Sequence, residues 1–170
     1  INCTFTGNSG PNGSDAIYNS SSTVNLKNCI IYSNGSTNDI WNNGGTTNSE
    51  NSIVDNISYI SGTNTNNLTS DPLLQPLADN GGLMKSIAIA DGSPAINAGT
   101  TGTDIPDTDI RGYAANGTRD IGAYEYNGAG HTFTGVVSNN WNTAGNWAVE
   151  SVPSAANDVV IPAGKTAEIG

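Results

Sequence analysis

The sequence predicts an all-β fold of short parallel strands, on three observations: a repeat, an alternation of apolar residues, and turn residues between the alternating stretches. The repeat aligns residues 2–8, 28–34 and 51–56, whose starts lie 26 and then 23 residues apart. Apolar residues alternate within it, as at Cys3 and Phe5, which is the period of a strand and not of a helix. These features are typical of a right-handed parallel β-helix (solenoid), in which neighbouring coils must stack to bury their inner faces.

A second element lies between the aligned segments and recurs at a similar offset. Ile17 and Ile40 are 23 residues apart, so the adjacent Tyr18 and Trp41 are expected on one exterior ladder. The other predicted stacks are Val24 with Thr47, Leu26 with Ser49, Cys3 with Cys29 and Ser52, Phe5 with Ile31 and Val54, and Asn8 with Asn34 and Asn56.

The two cysteines, Cys3 and Cys29, occupy equivalent places in successive repeats. Adjacent strands lie about 4.8 Å apart, which is just inside the Cα range that a disulfide tolerates. Two thiols that point the same way from in-register strands nevertheless have poor geometry for a bond. We therefore expect free, buried thiols that pack as small apolar groups, with a disulfide as the alternative.

Composition and charge exclude two classes of partner. The net charge is −10 with only five basic residues, so the chain lacks the basic footprint that a nucleic acid or an anionic membrane surface requires. No apolar run has the length of a membrane span. Asn occurs at 25 positions and Gly at 21, and because both tolerate left-handed backbone they favour many tight turns between strands.

The sequence pattern changes at about Asp71. Two prolines follow that cannot donate to a strand ladder, and they end the repeat. Four motifs follow: residues 71–82 read DPLLQPLADNGG, 91–99 read DGSPAINAG, 109–112 read DIRG and 119–126 read RDIGAYEY. In this order they resemble the C-terminal end of bacterial right-handed β-helix surface proteins that carry a variable, choice-of-anchor C-terminus.

This resemblance covers residues 1–126, and it implies export and display at the bacterial cell surface. It also implies parallel β-helix coils at residues 1–70 and an irregular C-terminal cap at residues 71–126, and it supplies no catalytic residues. A cap is expected on physical grounds as well, because a stack of coils ends in an exposed strand edge and an open apolar end. We expect the proline- and glycine-rich segment to cover that end.

Four aspartates cluster in the cap sequence and allow two interpretations. They are Asp104, Asp107, Asp109 and Asp120. One interpretation is a calcium site, since calcium takes several oxygen ligands from acidic loops. The favoured interpretation is structural, with Arg111 and Arg119 acting as planar clamps that hold the cap together. The expected partners of the two arginines are Asp109, Asp120 and Glu125.

After a linker at residues 127–130 the sequence changes again. Residues 131–170 contain the pattern W-N-x-A-x-N-W and, further on, D-V-V-I-P. Together these patterns resemble the start of a module found in surface proteins that use type IX secretion. We expect the opening of a second β-rich module, with Trp141 and Trp147 in its core; the alternative is that the two tryptophans form a platform for sugar stacking.

The favoured function is non-catalytic: a stalk or adhesin segment of a large secreted bacterial cell-surface protein. The repeats, the cap, the acidic polar surface and the resemblance support it. Ile1 lies inside a repeat and Gly170 follows a strand-like segment, so we expect the chain to be part of a longer protein. The expected partner is a surface polysaccharide or a neighbouring surface protein, without a resident cofactor.

A catalytic alternative is that the coils form a polysaccharide lyase or hydrolase. Such enzymes need carboxylates, and in a lyase a base, that converge on one groove. The acidic and basic residues within the coils are Asp15, Lys27, Asp39, Glu50 and Asp55. Asp15 and Asp39 lie at nearly equivalent places in successive coils, but turn-forming aspartates explain them equally well.

Carbohydrate binding without catalysis is the third hypothesis. Tyr18 and Trp41 are expected to stack on one exterior ladder, where an aromatic strip suits a glycan. Packing between neighbouring coils explains the same two residues.

Overall fold

The computed structural model describes residues 1–10, 14–35, 38–115, 117–126, 131–132, 135–147 and 159–169. The chain divides into two compact units, Ile1–Tyr126 and Asn127–Gly170. Within the described ranges the regular structure is all-β apart from two short 3₁₀ helices. In that part of the chain, neither helix has the length and apolar character needed to cross a membrane.

Unit 1 consists of short strands that form parallel sheets. The strands are β1 (Thr4–Phe5), β2 (Ile17–Ser20), β3 (Thr23–Lys27), β4 (Ile30–Ile31), β5 (Ile40–Asn43), β6 (Thr46–Glu50), β7 (Ile53–Val54) and β8 (Asn64–Thr65). A 3₁₀ helix, Ile57–Tyr59, lies between β7 and β8. Three sheets result, ordered β1–β4–β7, β2–β5 and β3–β6–β8. Neighbouring strands come from successive repeats, so the chain visits the three sheets in turn.

The strand registers confirm the alignment made from the sequence. Phe5 pairs with Ile31 and Ile31 with Val54, and on the second sheet Tyr18 lies opposite Trp41. The other predicted partners that lie within strands are paired as well: Ile17 with Ile40, Val24 with Thr47, and Leu26 with Ser49.

An asparagine with left-handed backbone precedes each strand of the first sheet by two residues. Asn2, Asn28 and Asn51 have φ angles of 48°, 51° and 46°. Asn66, with φ 51°, stands in the same relation to Leu68, which continues this sheet through a parallel bridge to β7. Asn is one of the few residues that enter this region readily, because its short side chain bonds locally. Each repeat therefore enters the first sheet through the same asparagine turn.

The inward-facing side chains of the three sheets form an apolar core. Its buried members are Leu26, Cys29, Ile31, Ile40 and Val54. The partly buried Phe5, Ile17 and Val24 pack against it from the first repeat, and Tyr59 and Ile60 pack against it from the end of the 3₁₀ helix. The last repeat is short. Its 3₁₀ helix contacts β5, and its strand β8 pairs with β6, so both lie against the repeat before it.

The described residues of the predicted cap at 71–126, called the covering segment below, pack on the outer face of the first sheet, which differs from the expectation that they cover the end of the stack. Ile30 and Ile53 are completely buried there, against Ile89, Ala95 and Ile121. Ile30 and Ile53 are one residue out of phase with the inward-facing side chains, so they give the sheet a second apolar surface. The segment covers that surface.

The predicted corner stack of three asparagines forms only in part. The Nδ2 of Asn8 donates to the Oδ1 of Asn34 at 2.8 Å. Asn56 does not join them, because it follows its strand by two residues, whereas Asn8 and Asn34 follow theirs by three. The side chain of Asn56 instead accepts from the backbone N–H of Ser58 and caps the 3₁₀ helix. The prediction for Asn56 was wrong.

Cys3 and Cys29 are free thiols, as expected; Cys29 is buried as predicted, whereas Cys3 is only partly buried. The next position of this stack is polar: the N–H of Cys29 donates to the Oγ of Ser52 at 3.0 Å. Each thiol donates to a backbone oxygen two residues earlier, Cys3 to Ile1 at 3.0 Å and Cys29 to Lys27 at 3.3 Å. Interaction with the Cys29 thiol, followed by burial, raises the pKa of Cys3, and the same interaction lowers the pKa of Cys29 against the effect of burial.

Unit 2 contains a parallel strand pair and a tryptophan core. Strand β9 (His131–Thr132) pairs with β10 (Val159–Val160), and the second 3₁₀ helix spans Ala144–Asn146. Trp147 is 1% exposed, and its ring meets that of Trp141 edge-on with centroids 4.7 Å apart. The predictions for the linker at residues 127–130, and for residues 133–134 and 148–158 of the module, fall outside the described residues.

Candidate functional site

Two exposed aromatic side chains occupy adjacent strands of the second sheet. Tyr18 and Trp41 are 57% and 41% exposed and lie directly opposite each other in register. Along β2 the outward Tyr18 alternates with Ile17 and Asn19, which are more buried. Adjacent strands are about 4.8 Å apart, so the two side chains form one aromatic pair on the outer face.

Asparagines fix the strands beneath this aromatic pair. The Nδ2 of Asn19 donates to the Oδ1 of Asn42 at 3.0 Å, and the Nδ2 of Asn42 donates to the backbone oxygen of Tyr59 at 2.8 Å. On the outer face, the Nδ2 of Asn43 donates to the phenol oxygen of Tyr18 at 2.9 Å. The pair therefore offers apolar ring surface beside amide groups, which suits the apolar faces and hydroxyl edges of a sugar ring.

A polar groove that the sequence analysis did not single out lies on the outer face of the third sheet. It measures about 520 Å³, and its lining includes Asn25, Lys27, Asn48, Glu50, Thr63 and Asp104. A signal for it was present in the sequence, because Asn25 and Asn48, and likewise Lys27 and Glu50, are separated by the 23-residue repeat. Each of these two pairs lies opposite in register on β3 and β6.

The structure does not bring the four predicted calcium ligands together. Asp104 approaches Lys27, and Asp107 is exposed, whereas Asp109 and Asp120 are engaged with backbone N–H groups and arginine. Among the described residues there is no group of three or more His, Cys, Asp and Glu side chains arranged to hold a metal ion. The calcium interpretation is therefore not supported by the arrangement of these carboxylates.

The favoured interpretation of two arginine clamps is confirmed. The guanidinium of Arg111 contacts the carboxylate of Asp109 at 2.8 Å, with both side chains 1% exposed. It also donates to the backbone oxygen of Glu125 at 2.7 Å and lies 3.6 Å from the ring centre of Tyr124. The second clamp joins Arg119 to the side chain of Glu125 at 3.1 Å.

Three backbone N–H groups complete this buried ion-pair cluster. Asp120 accepts from the N–H of Asn97 at 2.8 Å and from that of Tyr126, and the N–H of Asp120 itself donates to Glu125 at 3.1 Å. Burial nevertheless raises the pKa of Glu125 to about 7, against the attraction of Arg119. Burial likewise raises the pKa of Asp120.

The aspartates considered for catalysis hold turns. Asp15 and Asp39 are buried; the Oδ1 of Asp15 accepts from the N–H of Gly10 at 3.1 Å, and the Oδ2 of Asp39 accepts from the Nδ2 of Asn34 at 2.9 Å. Burial raises the pKa of Asp39, with a smaller contribution from Asp55. Asp15 pairs in register with Asn38 and not with Asp39, so the two carboxylates are offset by one residue.

Trp147 belongs to the core of unit 2, as favoured, whereas Trp141 packs against it and is only partly buried. The Nε1 of Trp147 donates to the backbone oxygen of Trp141 at 2.9 Å, and Trp147 is buried. A buried ring has no free face for a sugar, so Trp147 is not a stacking residue. Asn146 supports the same core, since its Oδ1 accepts from the N–H groups of Val137 and Ser138.

No known family, curated protein or solved structure matches this chain.

Proposed function

We propose that residues 1–126 are the end of a right-handed parallel β-helix, and that the chain is a non-catalytic stalk or adhesin segment of a secreted bacterial cell-surface protein. The observation that carries the proposal is the register of the three sheets, in which successive repeats stack strand on strand. Each repeat contacts only the repeats next to it, so added repeats lengthen the stack along one axis. Such a stack supplies length and rigidity.

The lateral packing of residues 72–126 supports the same function. It buries the outer side of the first sheet and closes with two arginine clamps and a backbone-bonded aspartate. A stalk displayed in water needs its apolar surface covered, and the packing of this segment removes the apolar outer face of the first sheet from solvent.

The experiment has two arms on the whole chain. An experimental structure establishes the hand of the coils, and left-handed or unstacked coils would contradict the architecture. Incubation with a panel of neutral and acidic polysaccharides, with and without calcium, establishes whether the chain degrades any of them. We expect no depolymerisation; cleavage of any member would overturn the non-catalytic assignment.

Glycan binding through the aromatic pair is the second candidate, favoured by the exposure of Tyr18 and Trp41 side by side. For a polysaccharide whose binding shifts the resonances of residues 18 and 41, we expect Trp41→Ala to abolish retention, while its urea midpoint changes little. Leu83→Ala, which removes a fully exposed apolar side chain elsewhere, is the control. If Trp41→Ala retains glycan binding, or loses stability together with binding, the aromatic pair is only packing.

A further inference from the structure

The groove on the third sheet has a floor of outward-facing polar side chains in two rows. In the first row, the Nδ2 of Asn48 donates to the Oδ1 of Asn25 at 2.8 Å, and the Oδ1 of Asn48 accepts from the N–H of Thr63 at 2.8 Å. These bonds hold both amide planes in place and leave the Nδ2 of Asn25, on an exposed residue, as a donor to the groove. An amide that is fixed before a ligand arrives loses little conformational entropy on binding.

The second row is an ammonium group between two carboxylates. The Nζ of Lys27 lies 3.6 Å from Glu50 on the neighbouring strand and 3.4 Å from Asp104. The carboxylate side chains remain 45% and 55% exposed, so their free oxygens are accessible acceptors. Asp104 reaches the row from a turn that is anchored by the buried Ile105, and this turn forms one wall of the groove.

The charge balance decides between ligand classes. One ammonium group against two carboxylates leaves the groove slightly negative, within a chain of net charge −10. A polyanion such as a nucleic acid or a uronic-acid polymer is repelled by that field. The two carboxylates are already paired with Lys27, which makes them poor ligands for a cation. Of the apolar residues that line the groove, Leu26 is buried and Ile1 is 44% exposed, so the groove lacks the cluster of large apolar side chains that anchors a peptide.

Neutral polyhydroxylated ligands are the class that remains once polyanions, cations and peptides are excluded. The rows run across the strands at the strand spacing of about 4.8 Å, and they offer amide donors, carboxylate acceptors and an ammonium donor. We propose that this groove binds a neutral oligosaccharide, which lies along the rows and exchanges hydrogen bonds with Asn25, Glu50 and Asp104. The site is distinct from the aromatic pair on the second sheet and does not depend on it.

The test uses the full chain and hexasaccharides of known composition: glucose, mannose and xylose hexamers as neutral probes, and a galacturonic acid hexamer as the acidic one. Backbone amide resonances locate the site, and calorimetry gives the affinity. We expect a neutral hexamer to shift the resonances of residues 25, 48 and 63, and Asn25→Ala to weaken its binding about tenfold or more. Asn25 is exposed, so this variant is expected to keep the stability of the parent chain.

Two further variants separate the alternatives. Trp41→Ala is expected to leave binding in the groove unchanged; shifts confined to residues 18 and 41, with no effect of Asn25→Ala, would overturn the groove and leave the aromatic pair. Lys27→Met keeps the length of the side chain and removes its charge. If only the acidic hexamer binds, and Lys27→Met abolishes that binding, the ligand class is wrong. Failure of every neutral hexamer to bind at millimolar concentration would also reject the proposal, without bearing on the β-helix architecture.

Discussion

Asn28 connects the strand repeat to the covering segment. Its backbone takes the left-handed turn with φ 51°, while its buried side chain pairs with both backbone groups of Thr100. The Oδ1 accepts from the N–H of Thr100, and the Nδ2 donates to its oxygen, each at 2.8 Å. Asn51 repeats the arrangement with the backbone oxygen of Ala98 at 3.3 Å. The side chains of the asparagine turn therefore hold the covering segment against the first sheet.

Substitution of Asn28 separates these two contributions. Asn28→Gly keeps the left-handed turn and leaves two buried groups of Thr100 without partners, so we expect it to lower the free energy of unfolding by about 2 kcal/mol. Asn28→Ala adds the cost of left-handed backbone, about 1 kcal/mol more. Urea denaturation measures both. Asn66→Gly, at an exposed position of the same turn, is the control and should stay within about 0.5 kcal/mol of the parent.

The sequence predicted where these asparagines recur, but it did not predict what their side chains bind. Asn2, Asn28 and Asn51 were visible as the first residue of each aligned segment. The contacts of Asn28 with Thr100 and of Asn51 with Ala98 were not, because nothing in a single sequence relates residues that are more than 45 positions apart outside the repeat.

The element that fits most closely against the first sheet is the turn around Gly122. Its N–H donates to the backbone oxygen of Asn28 at 2.9 Å. Its φ is +110°, and a Cβ there would lie 2.8 Å from the Cδ1 of Ile30 and 3.0 Å from the Oγ1 of Thr4. Only glycine allows the covering segment to approach the sheet this closely.

Gly122→Ala is therefore expected to destabilise unit 1 by about 1–3 kcal/mol from overpacking, in addition to its backbone cost. Gly112→Ala is the matched control, since Gly112 has φ +91° and no atom within 4 Å of the added Cβ. Thermal and urea unfolding of both variants give the difference. If both variants lose the same free energy of unfolding, the close contact of residue 122 with Ile30 does not affect stability.

The register of the strands could be predicted from the periodicity of the sequence. Alternating apolar residues at a fixed offset gave the registers of all three sheets. The lateral position of residues 72–126 was missed, although a signal existed: Ile30–Ile31 and Ile53–Val54 are consecutive apolar pairs, and every one of these four residues is buried. Strands buried on both faces read as continuous apolar runs.

For unit 1 as a whole, buried carboxylates make stability depend on pH. Burial raises the pKa of Asp39, Asp120 and Glu125, and that of Glu125 rises from its ordinary 4.5 to about 7. A raised pKa means that the folded state holds its proton more tightly than the unfolded state. The stabilisation is complete below pH 4.5 and is lost as the pH rises through about 7.

We expect the urea midpoint of unit 1 to fall between pH 5 and pH 7.5, and Glu125→Gln to reduce that fall. The groups that face Glu125 are Arg119, Asp120, Asp109 and Arg111, all within the covering segment. Asp107→Asn, at an exposed position of the same segment, should keep the pH profile of the parent. A midpoint that rises with pH would show that ion pairing, and not burial, governs this carboxylate.

The first repeat is three residues longer than the second, yet its strands keep their register. The difference lies between Phe5 and Ile17, which are 12 residues apart, whereas Ile31 and Ile40 are nine apart. A longer connection between paired strands costs little, since each doubling of its length adds only about 0.6 kcal/mol of closure entropy. The connection between β1 and β2 is thus an acceptor site for foreign sequence. An epitope or binding peptide inserted after Gly10 is expected to leave the pairing of β1 with β4 and of β2 with β5 intact, because these strands keep their register across connections of different length.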